Sequence, residues 1–168
     1  MIRILVAGMG NVLRRDDGFG VEVAHRLAAD PKLPSGVKVM EVGIGGIHVV
    51  QELMAAPYDA LIILDAVQRG SRPGSIHLLA VDVPDIGEWP RADREHFLAD
   101  THYATPSKVL ILSKALGVLP PRAYILGCQP ANAESLGIGL SHPVEQAAEQ
   151  ALRELERLFT RESLPDRR

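Results

Sequence analysis

The chain has 168 residues and a formal net charge of −3, and 46% of its residues are hydrophobic and 23% charged. This length fits one domain with its own core, here residues 1–168, and the composition excludes a disordered protein. A slightly acidic chain with only 4% aromatic residues lacks both the positive charge and the stacking surfaces of nucleic-acid-binding proteins, so we expect no nucleic acid among its partners.

Short apolar runs alternate with helical patterns along most of the chain. Runs that end in glycines or turn residues predict β-strands, and apolar side chains at helical spacing predict α-helices. The predicted elements are, in chain order, a strand at 2–7, a helix from 16 or 17 to about 29, a strand at 37–42, a helix at 47–55, strands at 59–67 and 75–81, a helix at 105–116, a strand at 122–128 and a helix from 141 to about 158.

Two further segments lack such patterns. Residues 83–101 are polar and contain Pro84 and Pro90, so we expect a long loop there. Residues 161–168 are polar and charged, and we expect a frayed tail.

The alternation of strands and helices predicts an α/β fold. We expect a three-layer sandwich in which a mainly parallel, twisted sheet of about five strands is flanked by helices. The run from Asp59 to Val67 is nearly all apolar, which is typical of a central strand covered on both faces. In such folds the functional site lies in the crevice beyond the carboxyl ends of the strands.

The loop after the first strand is rich in glycine and contains candidate functional residues. Gly8 and Gly10 suggest a dinucleotide-binding loop, but the fingerprint needs a third glycine where this chain has Leu13, and the phosphate-binding lysine of a P-loop is absent. The loop instead contains two adjacent carboxylates, Asp16 and Asp17. We expect one of them to cap the following helix and the other to be free for chemistry.

Two more candidates follow other elements. Asp65 ends an otherwise apolar strand, where a carboxylate is costly unless it is paired, protonated or bound to a metal. His102 precedes a helix and can reach the same edge of the sheet as Asp17 and Asp65, with Asp100 close enough in sequence to orient its ring. Two carboxylates and one imidazole form an open nitrogen and oxygen site that suits nickel or zinc.

The cysteine content and the length of the apolar segments indicate the cellular compartment of the protein. Cys128 is the only cysteine, so it cannot form an internal disulfide, and we expect it in the core rather than as a nucleophile. No secretory signal is visible, and the longest apolar runs are far shorter than the roughly 20 residues of a membrane helix. We therefore expect a cytoplasmic protein with no membrane partner, and nothing in the sequence demands more than a monomer.

These residues together resemble the nickel–iron hydrogenase maturation endopeptidases. The family pattern follows an apolar strand with Gly-x-Gly-Asn-x-Leu-x-x-Asp-(Asp/Glu)-Gly/Ala-x-Gly, and residues 8–20 match it. The family also has an aspartate at the end of the third apolar strand, here Asp65, and a histidine just before a helix, here His102. The glycine-rich break at 43–46 and the Gly-Leu-Ser-x-Pro-Val segment at 139–144 match as well.

The resemblance implies a function and a ligand set. Asp17, Asp65 and His102 would take the family's three metal-ligand positions. The protein would be an endopeptidase that removes the C-terminal extension of a hydrogenase large-subunit precursor once nickel has been inserted. Nickel would come from the precursor as the recognition element, and other divalent ions could substitute for it.

Two alternatives remain at this point. The first is a nucleotide- or nucleoside-binding α/β module, which the fold allows. The second is a non-catalytic chaperone, which would bind the same precursor without releasing a peptide.

Overall fold

The computed structural model describes residues 2–99 and 105–160, and every element named below lies in these two ranges. The strands are β1 Ile4–Met9, β2 Val37–Gly43, β3 Ala60–Ala66, β4 Ile76–Ala80 and β5 Arg122–Cys128. The α-helices are α1 Phe19–Ala28, α2 Ile47–Ala55, α3 Arg91–Ala99, α4 Pro106–Ala115 and α5 His142–Thr160. Short 3-10 turns cover Arg15–Gly18 and Ile86–Glu88.

The five strands form one sheet in the order β2-β1-β3-β5-β4. Neighbouring strands are parallel, except that β4 pairs antiparallel with β5 at the edge. β3 lies at the centre of the sheet, and its first five residues are fully buried. The predicted mainly parallel sheet and the central position of its third strand are therefore confirmed.

Helices cover both faces of the sheet, as the alternation along each strand requires. On β1, Val6 faces a core shared with α1 and α5, whereas Ala7 faces a core shared with α2 and α4. The predicted three-layer α/β sandwich is confirmed. No helix in 2–99 or 105–160 combines the length and the hydropathy needed to cross a bilayer.

The prediction of a loop over residues 83–101 is wrong for residues 91–99, whereas residues 83–90 are irregular apart from the short 3-10 turn. Arg91–Ala99 forms a helix that buries none of its residues, so it has no apolar stripe by which the sequence could have revealed it. An ion pair between Arg91 Nε and Glu95 Oε1, 2.6 Å apart on successive turns, supports the exposed helix. The predicted frayed tail at 161–168 lies outside the described residues.

Candidate active site

The carboxyl ends of β1 and β3 are the place where a fold with this strand order is expected to bind a ligand. β2 lies on one side of β1 and β3 lies on the other, so the direction in which strands are added to the sheet reverses at β1. The segment after β1 carries Asp17, and the end of β3 carries Asp65. The structure therefore brings two of the three predicted site residues to the position where folds of this kind bind ligands.

Gly10 lies between these two aspartates. A Cβ at Gly10 would lie 1.9 Å from the backbone oxygen of Asp17 and 3.6 Å from Oδ1 of Asp65, and the φ of Gly10 is +120°. A side chain at this position would force the two segments apart, and its backbone conformation is one that only glycine adopts readily. The second glycine of the Gly-x-Gly pair thus allows Asp17 and Asp65 to approach each other.

The Asp17 carboxylate is held by its own loop. The backbone N–H of Asn11 donates to Oδ2 of Asp17 over 2.9 Å, and the Asn11 side chain accepts a hydrogen bond from the N–H of Leu13. Within the part of the chain that the structure describes, no donor reaches Oδ1 of Asp17. One oxygen is therefore oriented by the backbone, and the other is available to a ligand.

Asp65 has a strongly perturbed acidity. Its partial burial and, second, the negative charge of Asp17 raise the pKa of Asp65 to about 7, although a hydrogen bond from the backbone of Ala66 acts in the opposite direction. Both causes disfavour the charged form of the carboxylate. Binding of a proton or of a cation removes both the cost of burying the charge and the repulsion from Asp17. The two aspartates are therefore suited to bind a cation in place of a proton near neutral pH.

Asp16 has a different role from its neighbour. It is fully buried and accepts four hydrogen bonds, from the N–H groups of Ala131 and Asn132 and from both the N–H and the hydroxyl of Ser141, at 2.6–2.9 Å. These donors belong to the segment between β5 and α5. The Asp16 carboxylate therefore fixes the Asp17 loop to that segment and has no free oxygen for a ligand.

The prediction that Asp16 or Asp17 caps α1 is wrong. The N-cap of α1 is Gly18, and no side chain accepts a hydrogen bond from the first turn. The 3-10 turn Arg15–Gly18 moves the start of α1 beyond both aspartates. The Asp16 carboxylate instead accepts hydrogen bonds from Ala131, Asn132 and Ser141.

His102, the third predicted site residue, lies outside the described residues, as does Asp100. Thr105, three residues further on, is the N-cap of α4, whose side chain accepts a hydrogen bond from Lys108. Among the described residues no three His, Cys, Asp or Glu side chains form a cluster that could hold a metal. The ligand set of Asp17, Asp65 and His102 stays a prediction.

A serine–histidine pair that the sequence did not indicate lies along the same edge of the sheet. Ser71 Oγ is 3.0 Å from His77 Nε2. Gly127 of β5 lies between His77 of β4 and Asp65 of β3 in the sheet. The side chain of Val67 lies over Gly127, and a Cβ added to Gly127 would be 2.3 Å from it. Two strand spacings, about 10 Å, and an apolar side chain therefore separate this pair from the aspartates.

Cys128 is buried at the end of β5. Burial and, second, the charge of Asp16 raise the pKa of the Cys128 thiol to about 12. A thiol in this state is not a nucleophile at neutral pH. The prediction that Cys128 is a core residue is confirmed.

Comparison with known proteins gives consistent results along the chain. A family model described as hydrogenase maturation protease matches residues 21–158. The hydrogenase expression/formation protein HoxM of Azotobacter vinelandii is 35% identical over 150 residues, which cover 89% of this chain and 69% of the relative. The coenzyme F420 hydrogenase subunit delta of Methanothermobacter thermautotrophicus is 32% identical over 155 residues, 89% of each chain.

Solved structures show the same fold. The hydrogenase maturating endopeptidase HybD from E. coli superposes with a TM-score of 0.72 at 28% identity and covers 92% of this chain and 90% of its own. The hydrogenase 2 maturation peptidase from a Thaumarchaeota archaeon has a TM-score of 0.68 at 29% identity, and the match covers 94% of this chain and 98% of the peptidase. The family model, the relatives and the fold agree, and the chain belongs to the hydrogenase maturation protease family, whose general role is to process the precursor of the hydrogenase large subunit.

Proposed function

We propose that this protein is a metal-dependent endopeptidase of the aspartate type that removes the C-terminal extension of a nickel-loaded hydrogenase large-subunit precursor. In this proposal Asp17, Asp65 and His102 bind the nickel of the precursor. The metal is part of the substrate and serves as the recognition element.

The observation that carries the proposal is the pairing of Asp17 and Asp65 across Gly10. Oδ1 of Asp17 has no donor within the described ranges, and the pKa of Asp65 is raised to about 7 by burial and by the charge of Asp17. Two such carboxylates gain from a cation between them. Carboxylate and imidazole ligands suit a borderline divalent ion such as nickel, and zinc has similar preferences.

The role of each residue follows from its surroundings. Asn11 orients one oxygen of Asp17, so that the other can point into the crevice. Asp16 holds the loop in place through its hydrogen bonds to the segment between β5 and α5. Nickel held by Asp17, Asp65 and His102 would supply Lewis-acid chemistry at the scissile carbonyl or at a bound water.

The same arrangement explains selection of the loaded precursor. Without nickel, the two carboxylates repel each other and Asp65 takes up a proton near neutral pH. The two aspartates then contribute to precursor binding only when the precursor carries a cation. We therefore propose that cleavage follows nickel insertion, and that the protein acts in the cytoplasm as a monomer.

A processing assay tests the proposal. Nickel-loaded and nickel-free precursors are incubated with the wild type, with Asp17→Ala and with Asp30→Ala, and release of the C-terminal peptide is followed by mass spectrometry. Asp30 is the matched control, because it lies beyond the far end of α1 and its side chain accepts a hydrogen bond from Lys32 in a surface turn.

We expect cleavage of the loaded precursor by the wild type and by Asp30→Ala, and none by Asp17→Ala. Undiminished cleavage by Asp17→Ala would contradict the metal site. Binding of precursor without peptide release would indicate a chaperone. Stabilisation of the wild type by nucleotides and not by divalent ions, measured as a shift in Tm, would indicate a nucleotide-binding module.

A further inference from the structure

Three polar side chains are buried in the part of the chain that the structure describes: Asp16, Ser113 and Gln129. A buried polar group is costly unless its hydrogen bonds are made, so each of these needs a reason for its position. The hydroxyl of Ser113 donates to the oxygen of Val109, one turn earlier in α4, which is a bond within its own helix. Asp16 and Gln129 instead join segments that are far apart in the sequence, both at the carboxyl end of the sheet.

Residues 67–75 connect β3 to β4, and we call them the crossover. β5 lies between these two strands, so the crossover passes over the carboxyl end of β5, where Gln129 follows the strand. The N–H of Val67 donates to the oxygen of Cys128 over 2.9 Å at one end, and the N–H of Gly74 donates to the oxygen of Gln129 over 2.8 Å at the other. Residues 68–73 make no backbone-to-backbone hydrogen bond with a strand of the described chain.

The side chain of Gln129 holds the middle of the crossover. Its Oε1 accepts from the N–H of Arg69 over 2.7 Å and from the N–H of Ser71 over 3.3 Å. Its Nε2 donates to Oε1 of Gln68 over 2.7 Å and to the oxygen of Pro130 over 3.3 Å. A carboxamide has two acceptor positions and two donor hydrogens, and here all four are used. A buried group that is fully bonded in this way keeps its neighbours in one arrangement.

The crossover reaches Asp65 through Val67. Asp65 and Gly127 are partners in the parallel register of β3 and β5, so both point to the same face of the sheet. The side chain of Val67 lies on that face, because a Cβ added to Gly127 would be 2.3 Å from it. Val67 therefore contributes apolar cover on the side of the sheet to which Asp65 points, and its position depends on the crossover that it begins.

Asp16 has the corresponding relation to Asp17. Its carboxylate ties the Asp17 loop to the segment between β5 and α5, and Gln129 is the first residue of that segment. The two buried polar side chains that join distant segments therefore hold the neighbours of both aspartates against the same part of the chain.

We propose that Gln129 is a positioning residue for Asp65, which it keeps in place, through the crossover and Val67, for binding the nickel of the precursor. The inference rests on the proposed function, since it concerns the geometry of that same site. Gln129 itself contacts neither the metal nor the precursor. Residues behind a metal ligand contribute roughly tenfold to a hundredfold to metal affinity or activity.

A kinetic comparison tests this role. The wild type, Gln129→Met and Ser113→Ala are assayed on nickel-loaded precursor, and the folded fraction of each is measured by circular dichroism. Methionine has nearly the length of glutamine but no strong donor or acceptor. Ser113→Ala is the matched control, because it also removes a buried hydrogen bond, but one that lies within α4.

The expected result is a change in KM. Partial unfolding lowers the apparent kcat and leaves KM as it is, whereas a displaced Asp65 weakens the binding of nickel-loaded precursor. We expect Gln129→Met to raise KM about tenfold and Ser113→Ala to change it by less than about twofold. The affinity of both variants for nickel-free precursor is expected to stay within about twofold of the wild type, because Asp65 then has no cation to bind.

Gln68→Ala is a milder second variant. Gln68 is exposed and supplies only one of the four partners of Gln129, so we expect the fold to be retained. KM for nickel-loaded precursor is expected to rise about threefold, less than for Gln129→Met.

Hydrogen exchange tests the hold on the crossover without nickel, precursor or cleavage. In the wild type we expect larger protection factors at Arg69 and Ser71 than at Gly70, whose N–H has no partner among the described residues. In Gln129→Met we expect faster exchange at Arg69, Ser71 and Val67. These results together with no cleavage of loaded precursor by the wild type would support the hold on the crossover and contradict the proposed protease.

Three results would overturn the inference. One is an unchanged KM for folded Gln129→Met on a precursor that the wild type cleaves. Another is an equal rise in KM for Ser113→Ala, which would indicate general loosening of the fold. The last is wild-type protection at Arg69 and Ser71 that is no larger than at Gly70.

Discussion

The first turn of α1 lies directly against the end of β3, so that a Cβ on Gly20 would be 2.0 Å from the carbonyl oxygen of Leu64. The residue after Leu64 is Asp65. On the other side, a Cβ on Gly8 would be 2.3 Å from the oxygen of Gly20. The glycines of this loop therefore set the distance between α1, β1 and β3, on which the position of Asp65 depends.

The substitution Gly20→Ala tests this contact. The added methyl group meets backbone atoms on two sides and cannot be accommodated by rotating a side chain. We expect the free energy of unfolding to fall by about 3 kcal/mol or more. Gly117→Ala is the control, because its Cβ would meet nothing within 4 Å and only its φ of +69° opposes the change, at a cost of about 1 kcal/mol.

Urea unfolding of both variants gives the comparison. Equal losses of stability would contradict the steric role of Gly20. Precursor processing is expected to fall with Gly20→Ala and to be retained with Gly117→Ala.

Asp16 and Asp17 are adjacent in the sequence, but their replacement is expected to change the free energy of unfolding by very different amounts. Asp16→Ala leaves a cavity at a fully buried position and removes the acceptor of four partly buried donor groups, so we expect a loss of about 3 kcal/mol in the free energy of unfolding. Asp17→Ala removes one hydrogen bond from Asn11 and relieves repulsion with Asp65, so its effect on stability is expected to stay within about 1 kcal/mol. Denaturant titration of both variants measures the difference, and a larger loss for Asp17→Ala would contradict these roles.

Stability is expected to depend on pH through Asp65. An aspartate in the unfolded chain loses its proton near pH 4, at about its reference pKa, whereas the folded protein raises the pKa of Asp65 to about 7. Between these values the folded state binds more protons than the unfolded state, so this group lowers the free energy of unfolding as the pH rises from about 4 to 7. Above pH 7 its effect is constant.

The variant Asp65→Asn isolates this contribution. Its stability relative to the metal-free wild type is expected to increase from about pH 4 to 7, by an amount on the order of a few kcal/mol. Unfolding measured at pH 5, 6, 7 and 8 follows the difference. A difference that does not change with pH would mean that Asp65 titrates as an ordinary aspartate.

The two causes of the Asp65 shift can be separated by Asp17→Asn. This variant removes the charge of Asp17 and leaves the burial of Asp65 largely intact. Because burial is the larger cause, we expect the pKa of Asp65 to fall but to stay above its ordinary value. The side-chain carboxyl NMR signal of Asp65 reports the titration directly, and an unchanged pKa would show that the aspartates do not interact.

Elements with a strong apolar pattern could be predicted from the sequence. The apolar run of β3 and the apolar face of α5 are visible in the sequence because the side chains that lie in the core are apolar and recur at the spacing of a strand or a helix. Helix α3 could not be predicted in this way because it buries no side chain, and the ion pair between Arg91 and Glu95 that supports it is exposed.

The candidate site could be predicted only in part. Asp17 and Asp65 could be predicted because functional residues of α/β folds lie at the carboxyl ends of the strands. The two residues come close together because β1 and β3 are neighbours in the sheet. The role of Asp16 could not be predicted, because its donors lie more than a hundred residues further along the chain. The bridge between Arg14 and Gly137 could not be predicted for the same reason.

The central claim is that Asp17, Asp65 and His102 act together as one site for the nickel of the precursor. The most direct measurement is the rate of C-terminal peptide release from nickel-loaded precursor by three single alanine variants and by the Asp17→Ala/His102→Ala double variant. We predict a loss of about a hundredfold or more for each single variant and no further loss for the double variant, because residues that act as a unit are not additive. A His102→Ala enzyme that cleaves at the wild-type rate, or losses that multiply in the double variant, would contradict a single site.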